Sequence, residues 1–215
     1  MEERKITITL EKARKWYNSD NESLKEAALQ AFSKDELLHS FKDITTFKKA
    51  CEALGLNYNA ISYIVENIAM VSKASAAMFE LNIIRKALNL GHDLHLTKNP
   101  EDSYVYYPLN PFVTKSSTYY KSDINSGKME VIGKIKSEGE EYNVLGGSAS
   151  LGINNGLGNF YSYIGVCDAF SYIGFLGCAN KEIAKHLGKY FGMLITEAKY
   201  GDIVNFEIID NKYNI

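Results

Sequence analysis

The sequence predicts an α+β fold, with a helical amino-terminal half and an antiparallel, β-rich carboxy-terminal half that is closed by a helix. Apolar residues recur at three- and four-residue spacing before residue 95, whereas tyrosines and glycines crowd residues 104–177. An apolar-faced helical pattern then follows residue 180. We therefore expect a helical region at 1–95 and a β-rich region with a carboxy-terminal helix at 96–215.

Composition indicates a folded, intracellular protein. The chain has 215 residues, of which 46% are apolar and 23% charged, so it needs no metal or disulfide to hold a core. Its three cysteines show no pairing pattern, which fits a reducing compartment. No secretory signal opens the sequence, and its longest apolar stretch, 61–90, is interrupted by charged side chains. We expect a cytoplasmic protein that does not enter membranes.

The charge balance argues against non-specific nucleic-acid binding. The net charge is −2, with 24 basic and 26 acidic side chains, so no surplus of Lys and Arg is available to neutralise phosphates. Lys128, Lys134 and Lys136 lie close together in a β-like stretch. A solvated strand face explains them better than a basic binding patch.

Short helices are predicted in the first 55 residues from their capping residues. Thr9 is the predicted cap of a helix that runs through Tyr17, and Thr45 or Thr46 is the predicted cap of the last helix in this region. Ser23 and Ser33 are predicted caps that form capping boxes with Glu26 and Glu36. Gly55 follows the last of these helices as a left-handed stop.

One long helix is predicted from about residue 59 to 90, closed by Gly91. Its middle, residues 72–77, consists mostly of small side chains, which allow another helix to cross closely. A crossing within the same chain is favoured over a crossing by another subunit.

The second half should contain short strands and tight turns. We predict strands near 103–107, 112–120, 128–136, 141–145, 160–167 and 170–176, with turns at 125–127 and 138–140. The similar segments 162–165 and 171–174 would pair across a turn. A helix capped by Asn180 should then end at Gly201, before a final strand at 203–209.

No catalytic or metal-binding constellation is evident, and no cofactor is expected. His92 and His95 are three residues apart without a third ligand, so a polar loop explains them better than zinc. Cys167 with His186 as base would be a nucleophile pair, but a buried strand cysteine is favoured. The glycines of 146–152 lack a following helix N-terminus and a Lys-Ser/Thr ending, which favours a connection between strands over a phosphate loop.

The tyrosine cluster is the most suggestive functional feature. Nine of the fifteen tyrosines fall between residues 104 and 172. Tyrosine offers a flat surface and a hydroxyl at low entropic cost, which suits binding, but it also simply favours strands. Both interpretations stay open. For the binding interpretation, the predicted ligand- or partner-binding residues are Tyr161, Tyr163, Tyr172, Gly156 and Gly158.

Short segments in both parts of the chain form a pattern of packing and capping residues: 174–178, 181–184 and 188–191 near the carboxy terminus, and 8–10, 16–17, 28–29, 47–55 and 81–88 in the first half. In these segments the chain resembles a group of uncharacterised phage and prophage proteins from gut bacteria. The tyrosine- and glycine-rich middle is not covered. The resemblance implies a phage-encoded context and no particular chemistry.

Three classes of function follow from the sequence. The favoured class is a non-enzymatic, homo-oligomeric binding protein, which in a phage would capture a host protein or a small signalling molecule as a counter-defence. The second class is a minor virion or assembly protein. The third is an enzyme that uses Cys167, His186 or the pair His92 and His95.

Overall fold

The computed structural model describes residues 8–17, 19, 21–37, 40–90, 104–118, 120–153 and 176–213. In these residues the helices are α1 (Leu10–Tyr17), α2 (Glu22–Ala31), α3 (Lys34–Leu37), α4 (Phe47–Ala53), α5 (Tyr58–Ala69), α6 (Lys73–Leu88), α7 (Lys121–Asn125), α8 (Lys181–Tyr190) and α9 (Gly192–Tyr200). The strands are β1 (Tyr104–Leu109), β2 (Phe112–Thr114), β3 (Glu130–Ser137), β4 (Glu140–Gly146), β5 (Ser148–Ile153) and β6 (Phe206–Asn211). The predicted α+β class is confirmed. No helix in these ranges combines the length and apolarity that a bilayer crossing requires.

Most of the predicted helix starts are confirmed. Thr9, Thr46 and Asn180 each accept a hydrogen bond from the backbone N–H three residues ahead. In the capping box, the Glu36 carboxylate accepts from the Ser33 N–H at 2.9 Å.

The capping box predicted at Ser23 is wrong. The Oδ1 atom of Asn21 accepts from the Leu24 N–H at 3.3 Å, so α2 begins two residues earlier than expected. Asparagine caps helices as well as serine does, and Ser23 therefore lies inside the first turn.

The prediction of one long helix over 59–90 is also wrong. Helix α5 ends at Ala69, and Ser72 has an extended backbone with φ −156° before α6 begins. The Ser72 Oγ accepts from the Ser75 N–H at 2.9 Å and so caps a new helix. Two helices form an αα-hairpin where the apolar pattern predicted one.

The described strands form two antiparallel sheets, with strand orders β1-β5 and β2-β4-β3-β6. The turn predicted at 138–140 joins β3 to β4: Glu138 and Gly139 both have positive φ, 52° and 88°, as a type I′ hairpin turn requires. Gly147, with φ 94°, passes the chain from one sheet to the other. The following glycine-rich segment was predicted to be a connection between strands, but it is itself a strand, β5, because it pairs antiparallel with β1.

The remaining strand predictions have mixed outcomes. The strand predicted at 112–120 ends at Thr114, because a turn closes there through the Ser117 N–H, which donates to the Thr114 carbonyl at 3.1 Å. The final strand is present as β6 and pairs with β3, a few residues later than predicted. The strands predicted at 160–167 and 170–176 fall almost entirely in 154–175, outside the described residues.

The carboxy-terminal helix is interrupted at Phe191, giving α8 and α9. Gly192 lies so close to the sheet that a Cβ atom there would be 2.4 Å from Nδ2 of Asn110. The same Nδ2 donates to the Gly188 carbonyl at 2.7 Å and to the Leu145 carbonyl at 2.9 Å. Small residues at this junction therefore let the helices approach the strands.

The main core combines residues from α4, α6, α8 and α9 with Leu176 and Cys178, which precede α8 in the chain. Asn89 ties these parts together, because its Oδ1 accepts from the Ala179 N–H at 2.7 Å. Ala76 and Ala77 are buried, and a Cβ on Gly201 would lie 3.3 Å from the Ala74 nitrogen, so the crossing at the small residues is intramolecular. The division predicted at residue 95 falls outside the described residues.

Candidate functional site

All the binding residues predicted from the sequence lie outside the described part of the chain. Tyr161, Tyr163, Tyr172, Gly156 and Gly158 all belong to 154–175. The candidate chemical residues Cys167, His92 and His95 are outside it as well. The proposed tyrosine site therefore stays a prediction.

His186 is described, and its surroundings are structural. The ring is buried, and Nε2 donates to the Ile44 carbonyl at 2.8 Å. The rings of Phe41 and Tyr190 pack on it at centroid distances of 5.6 and 4.5 Å. Burial lowers the pKa of His186, which keeps the ring neutral.

The cysteine and acidic residues of the described ranges do not form a reactive site. Burial raises the pKa of Cys178 to about 12, so its thiol stays protonated and unreactive. Within these ranges, no group of three or more His, Cys, Asp or Glu side chains could hold a metal ion.

Three basic side chains on and beside the larger sheet, those of Lys128, Lys189 and Lys212, lie against acids. Lys128 lies 3.7 Å from the Asp123 carboxylate. Lys189 lies 2.7 Å from Glu130, and Lys212 contacts the same carboxylate. Hydrogen bonds from Lys189, Lys212 and Tyr213 outweigh burial and lower the pKa of Glu130 to about 2. Lys128, Lys189 and Lys212 are therefore parts of local ion pairs.

The most exposed large apolar side chains lie on the α5–α6 hairpin and beside it. Val71 is 90% exposed, Met70 and Val204 are each 83% exposed, and Tyr63 is 68% exposed. We call the set Tyr63, Ile64, Met70, Val71, Ile203 and Val204 the α5–α6 face. Helix α5 has no buried residue in spite of its apolar composition. Such a surface is typical of an interaction site.

A groove of about 560 Å³ runs through this face between α5 and the start of α6. Its lining residues are Tyr63, Ile64, Asn67, Ile68, Val71, Ser72 and Ser75. None of these side chains is charged at neutral pH. The groove therefore suits an uncharged, apolar surface.

Asp202 joins the two parts of the face. Its carboxylate accepts hydrogen bonds from the Ser72 hydroxyl and, at 3.2 Å, from the Ala74 N–H. The Ser72 hydrogen bond is the main cause of a lowered pKa at Asp202. Ile203 and Val204, which follow directly, are thereby held beside the start of α6.

The α5–α6 face was not predicted from the sequence, because the apolar spacing of 61–90 predicts one continuous helix. A signal was present: Met70 and Val71 are two adjacent large apolar residues just before a capping serine. In a tight connection between helices, such residues have little core to enter.

Comparisons of the chain with protein-family models, with curated proteins and with solved structures found no match. No family is shown. Function is therefore inferred from the surface of the chain itself.

Proposed function

We propose that this chain is a binding protein that works as a homo-oligomer, and that a second copy docks on the α5–α6 face. One observation carries the proposal: Tyr63, Ile64, Met70 and Val71, each more than 40% exposed, lie on or directly after a helix that buries none of its residues. Ile203 and Val204, also more than 40% exposed, directly follow Asp202, which is hydrogen-bonded to the start of α6.

The size of the face matches one side of a stable interface. Six side chains with these exposures present on the order of 700 Å² of surface, close to the roughly 800 Å² per partner of a standard interface. The largest apolar patch of an ordinary monomer covers only about 300–600 Å².

The chemistry of the face fits a second copy. A partner with charged side chains would bind the neutral groove less favourably, because its charges would be buried without counterions. An identical face brings Val71, Met70 and Tyr63, and the Asp202 carboxylate between its two parts is already hydrogen-bonded to Ser72 and Ala74. A two-fold contact would place α5 beside the α5 of the second copy, as in helix bundles.

The proposed two-fold contact would fit the binding class better than the virion class. A two-fold contact through one face closes after two copies, whereas an assembly subunit needs contacts that repeat. In a phage-encoded context, the dimer would capture a host factor or a small signalling molecule.

Sedimentation velocity over a concentration series tests the proposal. We expect the wild type to be a dimer and the double variant Val71→Asp/Val204→Asp to be a monomer, with an association at least tenfold weaker, since each aspartate would be buried without a partner. The matched control is Leu29→Asp/Ile209→Asp, which changes two other exposed apolar residues, 47% and 45% exposed.

Circular dichroism must show that both variants are folded. A wild type that is monomeric at every concentration, or a dimer that survives Val71→Asp/Val204→Asp but not the control change, would overturn the proposal. Association of the face with a different protein in place of a second copy would overturn it as well.

A further inference from the structure

A second groove, farther along the same face of α6, combines an apolar lining with positive charge. It has a volume of about 440 Å³, within the range of small-molecule sites. Leu54 and Leu56, at the end of α4, form one wall, and Phe79 and Ile83 of α6 form the other. We call it the α4–α6 groove.

The charges of the groove are those of Arg85 and Lys86, which lie in the last turn of α6. None of the described residues that line the groove carries a carboxylate. In the described part of the chain, neither cation forms an ion pair, and the Nε of Arg85 is buried without a hydrogen-bond acceptor. A buried, unpaired donor of this kind is costly, so the site favours an anion.

The spacing along α6 separates an apolar end from a charged end. Phe79 and Lys86 are seven residues apart, which is about 10 Å of helix. Leu56, 38% exposed, extends the apolar surface on the facing wall. A ligand that fills the groove would need an apolar chain of about this length with a negative charge at one end.

We propose that the α4–α6 groove binds a single-chain amphiphile with a carboxylate head group. The chain lies along Phe79 and Ile83, and the carboxylate lies at Arg85 and Lys86, because a planar guanidinium matches the geometry of a carboxylate. The α4–α6 groove shares no residue with the α5–α6 face, and its proposal does not rest on the proposed dimer.

Isothermal titration calorimetry with decanoate, below its critical micelle concentration, tests the site. We expect one saturable site per chain in the wild type. Arg85→Gln/Lys86→Gln should weaken binding at least tenfold by removing both charges. Asn82→Trp should do the same by filling the groove while leaving both charges in place, since Asn82 is an exposed lining residue.

The control Lys136→Gln/Lys181→Gln removes two exposed charges elsewhere and should bind decanoate like the wild type. Neutral decyl maltoside should bind at least tenfold more weakly than decanoate. Four outcomes would overturn the site: no saturable binding, equal affinity for the neutral probe, unchanged binding in Arg85→Gln/Lys86→Gln, or unchanged binding in folded Asn82→Trp.

Discussion

Two carboxylates, Glu80 of α6 and Glu197 of α9, interact where these helices pack together. Burial raises the pKa of Glu80 to about 7, and the negative charge of Glu197 adds to the increase. Burial also raises the pKa of Glu197, against the effect of Lys73. On α4, burial and then the charge of Glu80 raise the pKa of Cys51. Near neutral pH, Glu80 is therefore close to half-protonated, and its ionisation opposes folding.

Glu80→Gln should stabilise the protein at high pH. The folded pKa of Glu80 lies above the ordinary value of 4.5, so ionisation of this group lowers the unfolding free energy of the wild type as pH rises from about 4.5 through 7. At pH 8 we expect Glu80→Gln to be more stable by about 2 kcal/mol, since the full shift corresponds to at most roughly 3 kcal/mol. Below pH 4.5 the difference should vanish.

Urea unfolding across this pH range measures the effect. Glu207→Gln, at an exposed position of β6, is the control and should follow the wild type. A Glu80→Gln curve that runs parallel to the wild type at every pH would contradict the assignment of this group.

At the scale of elements, the sequence predicted those features whose interacting residues lie within a few positions of one another. The Ser33–Glu36 capping box and the turn at Glu138 and Gly139 were predictable, because all their partners are neighbours in sequence. The break between α5 and α6 was not predicted. Ser72 is held there by Asp202, 130 residues away in sequence, and no periodicity reports such a contact.

Ser72→Ala should weaken the start of α6. The change removes both the N-cap and the hydrogen bond to Asp202, and loss of an N-cap costs about 1 kcal/mol of unfolding free energy. Ser23→Ala is the matched control, because the cap of α2 is Asn21, and it should change stability by less than about 0.5 kcal/mol. Chemical denaturation of both variants checks this, and equal costs would show that Ser72 does not act as a cap.

At the scale of the molecule, the sequence predicted the class of fold better than the site. Alternation and periodicity report which faces are apolar, and they predicted the α+β class. They cannot report which apolar residues remain exposed after packing, which is why the exposure of Met70 and Val71, inside the single helix predicted over 59–90, was not predicted. The tyrosine site at Tyr161, Tyr163 and Tyr172 stays a separate prediction.

The central claim is that the α5–α6 face of one copy contacts the same face of another. The most direct measurement is photo-cross-linking of the purified protein with p-benzoylphenylalanine at Val71, followed by mass spectrometry of the linked peptides. We expect a covalent dimer linked to residues 58–78 or 202–204 of the second copy, and no such product from the same probe at Leu29. Links from Val71 to any other part of the second copy, or no dimer at all, would contradict the account.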